Sequence, residues 1–126
     1  MGVELVSAYS FGPYIRQKRL LLLREDPGYS LRRIAQAVGL EPSFLSKIER
    51  GIVPPPSETK IKALAGALGE DADLVLAMAG KISSDLHDAI RIRPQLFAEL
   101  IRELKSAPDK AVNGMVREAR EKYGKG

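Results

Sequence analysis

The chain has no cysteine and a single histidine, His87. Without thiols there is no disulfide framework and no zinc-finger pattern. One imidazole excludes multi-histidine metal sites and most histidine-based catalysis. The longest uninterrupted aliphatic run, Leu20–Leu23, falls far short of the roughly 20 apolar residues a membrane-spanning helix needs. Glu4 and the lack of an early basic cluster are unlike a secretory signal, so a cytoplasmic location is expected. There is also no glycine-rich phosphate loop and no paired-carboxylate site. Glu99 and Glu103 stand four residues apart beside Arg102, which reads as a solvated helix face. Neither an enzyme nor a cofactor is expected.

What is present is basic charge, gathered in one place. The 126 residues suit one domain, or one domain with an appendage, and carry a net charge of +4. Between Arg16 and Arg50, eight basic residues (Arg16, Lys18, Arg19, Arg24, Arg32, Arg33, Lys47, Arg50) face four acids (Glu25, Asp26, Glu41, Glu49), so this window alone holds +4. Residues 58–73 carry two lysines against four acids. A basic surface of this kind is the footprint of phosphate binding.

The window contains the stretch around which the chain is organised, LRRIAQAVGLEPSFLSKIERG, residues 31–51. Leu31, Ile34, Ala35 and Val38 recur at i, i+3, i+4, i+7, the apolar stripe of a short helix. Ser30 is placed to cap its start and Gly39 to let the chain leave it. Pro42 suits the first turn of a second helix, with Leu45 and Ile48 inward and Gly51 at its end. Two such helices joined by about three residues cross steeply, and small Ala35 permits close approach. The outward face of the second carries Pro42, Ser43, Ser46, Lys47 and Arg50, polar, basic or slim residues suited to a DNA major groove.

These segments, with FGPYIRQKR before them and VPPPSETKIKALAGALG after, resemble the helix-turn-helix of the phage Cro/cI-type repressors, the XRE family of bacterial regulators. The resemblance covers roughly residues 10–80. It implies an all-α fold, a five-helix DNA-binding domain of the lambda repressor type, here with additional C-terminal helices. By register with the family, the base-reading candidates are Glu41, Pro42, Ser43, Phe44 and Lys47, with Ser46 flanking. The phosphate-contact candidates are Arg32, Arg33, Arg50 and the amides capped by Ser30, together with Arg16 and Lys18. Glu41 stands where the family usually has a Ser or Thr cap. Ile52 and Val53 stand where basic residues often follow the matching glycine. Arg19 lies on the apolar stripe of the first helix and needs a partner if buried. The family's salt bridge between the first and recognition helices implies Glu49, the alternative being two independent surface charges.

Outside this core, residues 1–9 show no helical periodicity and read as a loose arm, or a short strand if something pairs with Val3, Leu5 and Val6. Ser10 can cap a helix from about Phe11 to Leu23. Leu20, Leu21 and Leu23 cannot share one core with Leu22, which suggests a second apolar contact. Ser57 caps a fourth helix with Ile61, Leu64, Ala65 and Leu68 inward. Asp71 or Asp73 caps a fifth with Leu74, Val75, Met78 and Ala79 inward. Residues 81–126 form a helical extension with three amphipathic segments. The first carries Leu86, Ala89 and Ile90; the second Leu96, Phe97, Leu100, Ile101 and Leu104; the third Val112, Met115, Val116, Ala119 and Tyr123. Stripes of this kind must be covered. The expected function is a sequence-specific regulator of double-stranded DNA, a repressor that binds a two-fold operator as a homodimer through the recognition helix at about residues 42–50, with Leu96, Phe97, Leu100, Ile101 and Leu104 as the expected interface and no membrane partner. The alternative is an antitoxin-type autoregulator whose C-terminal helices hold a different protein.

Overall fold

The computed structural model describes the backbone from Gly2 to Gly124 and the side chains from Phe11 to Gly124. Met1, Lys125 and Gly126, the outermost residues of the expected arm and extension, lie outside the described residues. The fold is all-α. Its helices are α1 (Gly2–Leu23), α2 (Leu31–Val38), α3 (Pro42–Glu49), α4 (Glu58–Leu68), α5 (Ala72–Met78), α6 (Ser84–Ile92), α7 (Pro94–Ser106) and α8 (Asp109–Tyr123), with one 3-10 turn at Pro27–Tyr29. The chain divides into two compact units, one reaching to Ser84 and one starting at Asp85.

In the first unit, α1 packs on α3, α4 and α5, and α2 packs on α3 and α4. The core joins Phe11 and Ile15 of α1, Ile34, Ala35 and Val38 of α2, and Leu45 and Ile48 of α3. It is completed by Ile61, Leu64, Ala65 and Leu68 of α4 with Val75 and Leu76 of α5. Removing one of the fully enclosed leucines, such as Leu45, would cost about 2–5 kcal/mol. The helix ends follow their residues. Ser30 accepts from the Arg33 amide and Ser57 from the Lys60 amide, while Asp71 accepts from the Asp73 amide. Gly39 leaves α2 at φ 74°, a left-handed conformation that residues with a Cβ rarely adopt.

Two sequence expectations change here. The stretch assigned to an arm or strand is helical from Gly2, so Ser10 lies inside α1 and does not cap it. No glycine or proline occurs from Val3 to Phe11 to break the helix, and the Gly12-Pro13 pair is absorbed within it. In α5, Leu74 is exposed and Leu76 is buried. Val75 and Leu76 lie in the core and Ala72, Met78 and Ala79 pack against it, so Val75, Met78 and Ala79 face inward as expected, whereas Leu74 falls off this face.

The second unit is different in kind. No residue of α7 or α8 is buried, and none of α6 is either. Leu86 and Ala89, expected to face inward, are exposed, and Ile90 is half-buried. On α7, Leu96, Leu100 and Ile101 are exposed, while Phe97 and Leu104 are half-buried. Met115, Val116 and Tyr123 are exposed on α8. No helix among the described residues is long and apolar enough to cross a membrane.

Candidate nucleic-acid interface

The second motif helix, α3, is fixed from behind. Leu45 and Ile48 are buried in the core, and Glu49 is 3% exposed. Its carboxylate receives two bonds from the Arg19 guanidinium of α1, Nε to Oε2 at 2.7 Å and Nη2 to Oε1 at 2.9 Å. Arg19 Nη1 also donates to the Tyr29 carbonyl at 3.2 Å. A buried charge with this many partners is compensated, and the bidentate fork fixes the angle between helices as well as their distance. Where the two helices cross, Gly12 of α1 lies against the backbone of Ile48 and Glu49. A Cβ at position 12 would run into the Ile48 carbonyl.

A three-residue turn, Gly39-Leu40-Glu41, connects α2 to α3, with the Leu40 amide donating to the Ala35 carbonyl at 2.8 Å. The C-terminal carbonyls of α2 receive a cation from α4. Lys60 Nζ donates to Val38 O at 2.9 Å and Gly39 O at 3.1 Å. A positive charge at a helix C-terminus meets the negative end of its dipole. Glu41 stands at the N-cap of α3 but makes no side-chain cap bond, and Pro42 fills the first helical position, where no amide is required.

On the outer face, Glu41, Ser43, Phe44 and Lys47 are exposed, and Pro42 and Ser46 are half-buried. Arg32 and Arg33 of α2, Arg16 of α1 and Arg50 after α3 are exposed as well. Among the described residues, Lys47 and these three arginines of α1 and α2 meet no acid. Lys18 is placed otherwise. Its ammonium pairs with Glu70 at 3.0 Å, and Tyr14 Oη donates to the same carboxylate at 2.7 Å. The Tyr14 hydrogen bond and the Lys18 ammonium hold the Glu70 carboxyl below its ordinary range, and the same bond raises the Tyr14 hydroxyl. Arg50 folds back on α3, its Nε donating to Ser46 O and Ser46 Oγ, each at 3.3 Å.

The loop after α3 lacks the cations that the resemblance leads one to expect. Val53 packs against the core, whereas Ile52 is 60% exposed. Together with Phe11–Pro13, Ile48 and Pro54-Pro55, they line a cleft of about 530 Å³, where Arg50 is the charged residue among the described lining. The Gly12 contact, the Tyr14–Glu70–Lys18 cluster, the Lys60 cap and the Ser46–Arg50 pair all went unseen in the sequence. The last had a local signal, an i, i+4 spacing on one helix face, as did Tyr14 and Lys18, whereas their shared partner Glu70 lies far away in the chain.

The face therefore offers a short helix, rigidly held, with an acid-poor outer surface flanked by arginines. Its residues 18–78 match the family model of a helix-turn-helix domain. Neither a curated protein nor a solved structure matches the chain. The match spans α2, the turn and α3, and it takes in both Arg19 and Glu49. Residues 18–78 are thus a helix-turn-helix domain of the XRE/Cro type, the fold of a DNA-binding regulator.

Proposed function

We propose that the chain is a sequence-specific transcriptional repressor that binds a two-fold operator as a homodimer. The observation that carries this is α3 itself, clamped by Arg19–Glu49 and the core, with its outer face exposed. Lys47 donates to guanine O6 or N7, Ser43 reads an adjacent base, and Phe44 packs on a thymine methyl or a sugar. Pro42 lets the helix start enter closely. Glu41 accepts from a cytosine amino group or sits as a favourable anion at the helix N-terminus. Arg32, Arg33, Arg50 and Arg16 hold phosphates, as do the amides of the first turn of α2 beside Ser30. Lys18 is not assigned to phosphate, because its charge is shared with Glu70.

The exposed Leu96, Leu100 and Ile101 of α7, with Phe97 and Leu104 beside them, supply the homodimer contact. Two copies joined there place two recognition helices about one helical turn, roughly 34 Å, apart on DNA. The same stripe suits the alternative, a different protein held by an antitoxin-type autoregulator, and the test separates the two. DNA from upstream of the chain's own gene is footprinted beside scrambled DNA, and the free protein is sedimented. A two-fold protected site and a dimer support the proposal. A monomer that protects one half-site and co-purifies with a small protein favours the alternative.

A further inference from the structure

We infer that Ser46 is a positioning residue for Arg50, so that the pair acts as one phosphate clamp at the end of the recognition helix. The inference rests on the DNA-binding reading proposed above. Arg50 is the cation on which the loop after α3 depends. Ile52 and Val53 bring no charge, Lys60 is taken by the carbonyls of Val38 and Gly39, Lys81 by the Pro56 carbonyl at 3.1 Å, and Lys62 pairs with Glu58 at 3.0 Å. A lone arginine on an exposed helix end samples many rotamers and loses that freedom when it meets a phosphate. Here its Nε–H is shared between Ser46 O and Ser46 Oγ, both at 3.3 Å. Among the described residues, both Nη groups are left without an acceptor, and they are the fork that matches phosphate oxygens. The two contacts are long for hydrogen bonds, so they bias the guanidinium toward one arrangement without locking it.

The assignment also removes Ser46 from the base-reading set. A hydroxyl that accepts from Arg50 and is half-buried against its own helix directs a neighbour instead of a base edge. Lysine at position 50 keeps the charge but has no Nε–H of this geometry for Ser46 to hold.

The test is equilibrium binding of the full chain to duplex DNA from upstream of its own gene and to random duplex, across a salt series. The proteins are the wild type, Ser46→Ala, Ser46→Thr, Arg50→Lys and the double variant Ser46→Ala/Arg50→Lys, each checked by thermal melting. Ser46→Ala is expected to weaken both DNAs alike, by about three- to tenfold, as befits loss of one hydrogen bond and of preorganisation. Ser46→Thr restores binding, and Ser46→Ala adds no loss in the Arg50→Lys background. Additive losses in the double variant overturn the inference, as does a changed base preference for Ser46→Ala with the wild-type salt slope. A wild-type protein that binds neither DNA overturns the underlying reading, and with it the inference, before any variant is compared.

Discussion

Gly12 and the Arg19–Glu49 pair set how the recognition helix stands on the rest of the domain. Any side chain at position 12 meets the Ile48 carbonyl, which belongs to rigid helical backbone. Gly12→Ala is therefore expected to lower stability by about 1–3 kcal/mol through overpacking, measured by urea unfolding. Glu49→Ala leaves the Arg19 guanidinium buried and unpaired and should cost about 3–5 kcal/mol in the same measurement. The two residues differ in how well they could be read. Arg19 on an apolar stripe announces that a partner is needed, and the family pattern supplies Glu49. Gly12 beside Pro13 reads as a breaker, because the close approach that requires it involves residues 36 positions further on. The Tyr14–Glu70 bond, spanning 56 positions, was invisible for the same reason.

At the level of elements, the helix boundaries were legible where they depend on caps and stripes. Ser30, Gly39, Pro42 and Ser57 act locally, and each occupies the end that its chemistry favours. The start of α1 was not legible, since its first residues carry no apolar period to mark them. The start of α4 has a further tie that predicts a pH dependence. Glu58 receives the Ser84 amide at 3.1 Å, the Ser84 hydroxyl at 2.9 Å and Lys62, and its carboxyl is lowered to about 2 from its usual 4.5, most of all by the Ser84 amide. As pH falls, the unfolded chain takes up this proton first. The stabilisation is thus complete above about pH 4.5 and is lost as pH falls toward 2. Glu70 acts in the same direction. Denaturation curves for the wild type and Glu58→Gln should converge between pH 4.5 and 2, with the variant less stable at neutral pH. Curves that stay parallel would show that the contact contributes nothing.

The whole molecule joins a unit with a closed core to one whose helices bury none of their residues. The amphipathic periods of α6–α8 were plain in the sequence, but not what covers them, because a stripe records that burial is needed and not against what. With the α7 stripe as the homodimer contact, Leu100→Glu should shift the protein to monomer in sedimentation while leaving the thermal unfolding of the first unit unchanged. Operator affinity should fall in parallel, since a monomer engages one half-site. The central claim, that α3 reads bases while the surrounding arginines hold phosphates, is tested most directly by comparing Lys47→Ala and Arg32→Ala on the preferred site and on random DNA. The account predicts that Lys47→Ala costs about 1–3 kcal/mol on the preferred site alone and relaxes specificity, whereas Arg32→Ala weakens both DNAs equally and flattens the salt dependence. Equal losses on both DNAs for Lys47→Ala would contradict it.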